Sequence, residues 1–335
     1  MTEKKTAVPR PDTINGLVAG IYGPMAMLAG MRLDVFTPLK DGPMDAAALG
    51  AALGLDPARV APLLYALVNA GLLTVADGVF ANTAESAAYL VKGERRYMGS
   101  SHEAYSDLWG AMLHTAESIR AGRPQCMHDF SEMSRDELAT FLRGLDAGAN
   151  AAGRKLVKDY GLAEFRHLLD VGGGSGGLAR AVCEAVPGLD ATVTDLPTVA
   201  DLARAFNEKA GFADRIRILA NDTVAAPPEG TYDLAVLRNF LQVLGPDQAR
   251  AALIHVGQVT APGGTVFIIG RVLDDSRLTP ADTAGMNLVF LNIYAGGQSY
   301  TESQHRAWLA EAGFEDMTRA EIASGYSILR ARKAG

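Results

Sequence analysis

Apolar residues change their period part-way along the chain. From Asp12 to about Tyr97 they recur every three or four positions between glycines and prolines, which is the period of amphipathic helices. Within that stretch Met44 to Leu53 and Asp56 to Ala70 read as two short helices, the second with Asp56 as N-cap and Pro57 in the first turn. Gly71 to Phe80 then reads as a small hairpin turning at Ala76-Asp77-Gly78. Helix, helix, hairpin is the order of a winged helix. Ser100 to Tyr160 is helical again. From His167 the pattern becomes apolar strand, glycine turn, helix, repeated. His167–Val171, Ala191–Thr194, Arg215–Leu219, Tyr232–Leu237 and Thr265–Ile269 read as strands, and Leu178–Val186, Val199–Ala210 and Asp247–Val259 as helices. Such alternation predicts an α/β, doubly wound, mostly parallel sheet covered on both faces. Met317–Glu321 and Tyr326–Ala331, joined at a glycine, predict an antiparallel edge. The expected division is 1–100 for the winged helix, 101–160 for bridging helices and 161–335 for the sheet domain.

Composition narrows the function classes. With 335 residues and 48% hydrophobic content there is material for two cores. The net charge of −7 leaves no basic stripe, and the second helix of the winged module offers a groove only Arg59, so a nucleic-acid partner is not expected. Cys126 and Cys183 are far apart and form no metal-ligand spacing, which fits a reducing, cytoplasmic setting and predicts no metal. Met1 to Lys5 runs into prolines, and no window approaches eighteen uninterrupted apolar residues, so neither secretion nor a membrane partner is expected.

The chemistry concentrates after the first strand of the sheet domain. Asp170-Val171-Gly172-Gly173-Gly174-Ser175-Gly176-Gly177 puts a glycine run at a strand's carboxyl end before a helix, where open parallel sheets bind ligands. Gly172, Gly174 and Gly176 let backbone approach a ligand closely, and the helix start offers free N–H groups. An acid, Asp170, precedes the run. A second, Asp195, follows the next strand, where ribose hydroxyls require an acceptor. Asn221-Asp222-Thr223 supplies polar groups suited to an adenine amine.

The run Asp170 to Leu178, Thr194-Asp195-Leu196-Pro197, Asn221-Asp222 and Ala261-Pro262-Gly263-Gly264 together resemble the class I methyltransferases. The resemblance is to the caffeate and hydroxyindole O-methyltransferase-like family and covers nearly the whole chain. It implies a Rossmann-like catalytic domain behind a winged-helix dimerisation domain, hence a homodimer acting on a small-molecule acceptor. S-adenosylmethionine would be the methyl donor and S-adenosylhomocysteine the by-product. By position, the resemblance assigns Gly172 and Gly174 to the methionine part of the cofactor, with Asp170 just before them. It assigns Asp195 and Leu196 to the ribose, Asp222 and Thr223 to the adenine, and Arg238 to a Lys-like position alongside.

That family also implies a His base on the segment after the fourth strand, flanked by two Glu residues. Here Gln242 takes the His position, and the Glu positions fall at about Gly270 and Ser299. Gln cannot accept a proton. Three explanations stand. The acceptor needs no deprotonation, as for a thioether sulfur, and the bacterial S-methyltransferases of dimethylsulfoniopropionate synthesis, acting on 4-methylthio-2-hydroxybutyrate, resemble this architecture. Alternatively another group is the base, with His102, His114, Tyr294 and Tyr300 available. Lastly, the protein binds cofactor without transferring methyl. Arg271, after the fifth strand, suits a carboxylate or pairs with Asp274 or Asp275. Trp109, Met112, Phe141 and Arg143 are expected to wall the acceptor pocket, and Gln242, Arg271, Tyr294 and Tyr300 to meet the acceptor. For Tyr294 and Tyr300 the alternative is packing under the loop.

Overall fold

The computed structural model describes residues 8–130, 132–322 and 325–335. The run Met1 to Lys5 lies outside them. The chain separates into two compact units, one ending at Trp109 and the other beginning at Gly110.

In the first unit α1 (Asp12–Ala19) and α2 (Tyr22–Leu33) lead into a winged helix. That module comprises β1 (Met44–Asp45), α3 (Ala46–Leu53), α4 (Pro57–Asn69), β2 (Leu73–Ala76) and β3 (Val79–Asn82), followed by α5 (Ala84–Tyr89). Asp45 and Asp56 cap α3 and α4 by accepting N–H bonds from Ala48 and Ala58. The strands order β1-β3-β2. Leu49, Leu64, Leu67 and Phe80 meet in the core. Outside it, Ile14, Leu17, Val18, Ile21 and Tyr22 leave their side chains exposed. Asp12–Leu33 is long and apolar enough, by length and composition, to cross a membrane, and is only 17% buried. Counting uninterrupted apolar runs misses it, because Asn15, Gly16 and Gly20 break the run without breaking the mean hydropathy.

The second unit takes in only the end of α6 (His102–Met112), then α7 (Thr115–Ala121) and α8 (Arg135–Tyr160). A Ser134–Glu137 capping box opens α8 and Gly161 closes it in the left-handed region. β4 (His167–Val171), α9 (Gly177–Ala185), β5 (Asp190–Asp195), α10 (Pro197–Lys209), β6 (Ile216–Ala220) and β7 (Tyr232–Arg238) follow. Then come α11 (Pro246–Val259), β8 (Thr260–Leu273), α12 (Ala281–Ile293), β9 (Tyr300–Thr301), α13 (Glu302–Glu311), β10 (Phe314–Glu321) and β11 (Tyr326–Lys333). α8 lies along α9, where Gly153 lets the two backbones close up on Leu178. α8 therefore shares the sheet domain's core through Ala149 and Leu156.

The sheet orders β10-β11-β8-β7-β4-β5-β6, with β9 beside β8. β4 to β8 are parallel, while β11 and β10 form the antiparallel edge. Alternate residues feed two cores. Leu169, Val171, Leu237, Val266 and Ile268 face α11 and α13. Leu168, Val236, Phe267 and Ile269 face α8 and α9. β8 starts earlier than the apolar pattern suggests, because the Pro262-Gly263-Gly264 turn is absorbed as a register shift between Tyr232 and Leu234 of β7. Strand order reverses at β4, flanked by β5 and β7, which sets the ligand crevice above their carboxyl ends.

Candidate active site

The cofactor half of that crevice is built on β4, β5 and the turn between β4 and α9. Gly172 and Gly174 adopt φ +61° and +56°, and Gly172 donates its N–H to the Thr194 carbonyl at 2.8 Å. Asp195 fixes the turn through its carboxylate. One oxygen accepts the Gly174 N–H at 2.9 Å, the other the Leu196 N–H at 2.8 Å. Burial pushes its carboxyl up to about 6 against those two bonds. Asp170 is buried at 1% exposure, and burial raises its carboxyl to about 7 despite the charge of Arg238. Its Oδ2, like the Thr194 hydroxyl, is buried without a hydrogen-bond partner. Behind the turn, the Ser175 hydroxyl and Arg180 bond Asp146 of α8, while Asn207 of α10 donates to the Ser175 carbonyl at 3.1 Å. Asp222 is exposed and accepts the Val224 N–H, Thr223 is buried, and Nδ1 of His255 lies 2.9 Å from the Thr223 carbonyl. His255 thus touches the 221–226 turn, whereas its mid-helix position gives no sign of that. A turn that side chains would crowd, beside orphaned buried oxygens, fits the ribose and methionine ends of S-adenosylmethionine.

The acceptor half lies over β7, β8 and β9. Gln242 and Gly270 are neighbours, since a Cβ on Gly270 would sit 3.1 Å from Gln242 Oε1. That same Oε1 accepts the Arg271 backbone N–H at 3.2 Å. Ser299 is buried, its N–H donated to Asn287 Oδ1 at 2.7 Å and its hydroxyl without a partner. Tyr294 comes close through Gly297, which packs against both the Gln242 carbonyl and the Tyr294 ring. Arg271 stacks on Tyr326 at 4.9 Å and pairs with Asp282 at 3.3 Å, not with Asp274 or Asp275. Arg238, also half-buried, points to the α8 face of the sheet.

Tyr300 and Arg143 are held by partners of their own, and the remaining expected residues have the following surroundings. Tyr300 is a core residue at 1% exposure: its ring packs on Trp308 and its hydroxyl bonds the Leu244 carbonyl at 2.5 Å, so burial pushes it up to about 12 and away from any acid-base role. Arg143 is exposed and bonds Thr140 one turn back, a solvated helix-face charge. Trp109 belongs to the first unit, stacked on Tyr105 at 5.4 Å. Met112 is half-buried at the end of α6. His102 bonds Gly99 within the first unit, and His114 is exposed at the start of α7. Phe141 does face the acceptor half's neighbours, tilted on Phe130 at 5.3 Å and edge-on to His128 at 6.4 Å.

Three residues escaped the sequence reading. His128 is held against α12, its N–H bonding the Ile293 carbonyl at 2.8 Å, and its ring meets Tyr294 edge-on at 6.2 Å. Asn239, at φ +54°, carries a buried, unpartnered Oδ1 just after β7. Phe240 covers Gly172, where a Cβ would be 2.3 Å from its ring. No periodic signal marks the first, though Asn is the residue type that tolerates the left-handed region.

Residues 107–315 match the O-methyltransferase domain, and residues 16–92 match the O-methyltransferase dimerisation domain. The chain belongs to the O-methyltransferase family. It is 30% identical to the 3-hydroxy-5-methyl-1-naphthoate 3-O-methyltransferase of Streptomyces sahachiroi over 321 residues, covering 94% of this chain and 92% of that one. It is likewise 30% identical to the acetylserotonin O-methyltransferase of Mus musculus, over 95% of this chain and 87% of the other. Human N-acetylserotonin methyltransferase, solved with S-adenosylmethionine, superposes with a TM-score of 0.81 at 25% identity and full coverage of both chains. This family member is therefore an S-adenosylmethionine-dependent methyltransferase with a dimerisation domain. The exposed apolar side chains at Leu17, Val18, Ile21 and Tyr22 lie inside that dimerisation domain.

Proposed function

We propose that the enzyme methylates the oxygen of a small acceptor whose hydroxyl ionises without help from a protein base. The observation that carries this is the neutral set Gln242, Gly270 and Ser299 at the acceptor side. Gln242 Oε1 is occupied by the Arg271 N–H, which leaves the amide NH2 as the group it can offer. An N–H donor stabilises an oxygen that already carries charge and removes no proton. S-adenosylmethionine, when bound, supplies an electrophilic methyl group. The protein's share is alignment and exclusion of water, with Asp195 and the glycine turn fixing the donor and Gln242 orienting the nucleophile. The oxygen acceptors in the names of the two curated relatives favour oxygen over sulfur.

S-methylation of a small thioether acid such as 4-methylthio-2-hydroxybutyrate is the second reading. It draws on the same lack of a base and on the aromatic faces of Phe141 and Tyr294, which suit a developing sulfonium. In either case we propose a cytoplasmic homodimer without nucleic-acid or membrane partners; the dimerisation-domain match supports the dimer, and the net charge of −7 argues against nucleic acid.

The test is transfer of labelled methyl to phenols of graded acidity and to thioethers, each across pH. Without a protein base, the rate for a phenol rises through that phenol's own pKa and moves with it, while the thioether rate is flat. A single inflection near the imidazole range, shared by all acceptors, would sink the reading and point to His128.

A further inference from the structure

Buried polar atoms without hydrogen-bond partners are scarce in folded proteins, and where they gather a ligand usually completes the bonding. Asp170 Oδ2, Thr194 Oγ1, Asn239 Oδ1, Arg271 Nε and Ser299 Oγ all stand along the carboxyl edge of the sheet. The first two belong to the cofactor half. The other three follow β7, end β8 and precede β9. They form a set of opposite character: an amide oxygen that needs a donor, a guanidinium N–H that needs an acceptor, and a hydroxyl that can serve either way.

The guanidinium is not alone. In the parallel register Arg238 of β7 pairs with Ile269, and Arg271 lies two residues on, on the same face. Arg271 is in turn directly opposite Tyr326 of β11. Arg238, Arg271 and Tyr326 therefore make a diagonal row over three adjacent strands. Tyr326 holds the Arg271 guanidinium flat at 4.9 Å, and Asp282, half exposed, pairs with one of its nitrogens at 3.3 Å. Arg238 runs up to α8, where its guanidinium packs on Gly148, 2.9 Å from where a Cβ would lie. Among the described residues no carboxylate is within 4.0 Å of Arg238. Burial lowers the Arg238 pKa against the attraction of Tyr326 and Asp170. The half-buried Arg271 guanidinium thus has one partly exposed counter-charge, Asp282, and leaves its Nε without an acceptor. Burying cationic groups without partners is costly, and a bound anion relieves it.

We propose that Arg271 binds a carboxylate on the methyl acceptor, with Ser299 and Asn239 meeting a hydroxyl of the same molecule, so that the substrate class is a hydroxy acid. This rests on the methyltransferase reading above and deepens it. The planar fork of Arg271, packed on Tyr326 and paired with Asp282, offers parallel N–H donors that match the two oxygens of a carboxylate. The cofactor's own carboxylate is the competing anion. Strand spacing argues against it: Asp195 anchors the cofactor on β5, and β8 lies three strands away, about 14 Å. The acceptor, placed beyond the transferred methyl, is the molecule that reaches Arg271.

The experiment uses the full-length protein saturated with S-adenosylhomocysteine and measures calorimetric binding of matched pairs. Salicylate is compared with salicylamide, and 4-methylthio-2-hydroxybutyrate with its amide. Wild type should prefer acid over amide by about 10- to 100-fold in at least one pair. Arg271→Gln should erase that preference, and Arg271→Lys should keep part of it, while both leave S-adenosylhomocysteine affinity unchanged; the lysine variant decides the matter if the glutamine variant does not fold. Equal binding of acid and amide to wild type, or a preference that survives Arg271→Gln, overturns the proposal. So does a loss of S-adenosylhomocysteine affinity in Arg271→Gln that matches the loss for the acids, because the charge would then be reading the cofactor. Failure of wild type to bind S-adenosylhomocysteine at all would instead overturn the methyltransferase reading beneath it.

Discussion

The two halves of the crevice are organised by different means. Over β4 and β5 the backbone does most of the work: left-handed glycines, the Gly172 N–H on the Thr194 carbonyl, and a carboxylate that ties down two N–H groups. Over β7, β8 and β9 side chains do it, and Gln242, Arg271, Ser299 and Tyr294 come from separate segments up to 57 residues apart in number (299 − 242). A backbone-built site tolerates little change, because its geometry is the chain's own. A side-chain-built site can exchange its chemistry and keep the fold, so neutral Gln242, Gly270 and Ser299 can stand at the acceptor side without disturbing the donor half.

The largest expected effect separates the halves by pH. The unfolded chain releases the Asp170 proton near 4, whereas the folded protein holds it to about 7. The native state therefore binds more protons in that window, and the ligand-free protein loses stability as pH rises through it, by on the order of 4 kcal/mol, levelling off above. Asp195, at about 6, adds a smaller loss of the same sign over a narrower window. Thermal melts of wild type and Asp170→Asn from pH 4 to 8 test this: a wild-type curve as flat as the variant's would refute it. Next, Asp195→Ala should weaken S-adenosylhomocysteine binding about 100-fold, since it removes the expected ribose acceptor together with two charge-assisted bonds to the turn. Equal calorimetric affinities would remove Asp195 from the cofactor site.

On the acceptor half, Gln242→Ala should lower kcat about 10-fold and leave cofactor affinity alone, as expected for one lost hydrogen bond to the nucleophile. A matching fall in cofactor affinity would mean that the two halves are not separable. The smallest effect sharpens the boundary of the site. Tyr300→Phe should cost about 1 kcal/mol of stability, through the bond to the Leu244 carbonyl, and leave kcat unchanged. A drop in kcat at full stability would return Tyr300 to the acceptor pocket.

Much of the donor half was legible in the sequence because its requirements are local. A glycine run between a strand and a helix, an acid before it and an acid after the next strand all fall within the 26 residues from Asp170 to Asp195. The acceptor half was legible in position but not in partnership. Gln242 and Gly270 could be set side by side by alignment, yet whether Arg271 would meet Asp274, Asp275 or Asp282 depends on where α12 starts. Tyr300 and Tyr294 stand six residues apart in one segment, and nothing local says that the first turns into the core and the second toward His128.

By itself the sequence determined the α/β alternation, the winged helix, the antiparallel edge and the place of the glycine turn, since these follow from side-chain period and from conformations that few residues can adopt. Only the tertiary structure decided which polar groups would be left waiting for a ligand. His128 reaches Tyr294 because its loop is strapped to α12, and the buried Ser118–Asn292 bond beside that strap joins residues 174 positions apart. Partnership between groups so distant in sequence is settled by how helices and strands pack, and no periodicity along the chain records it.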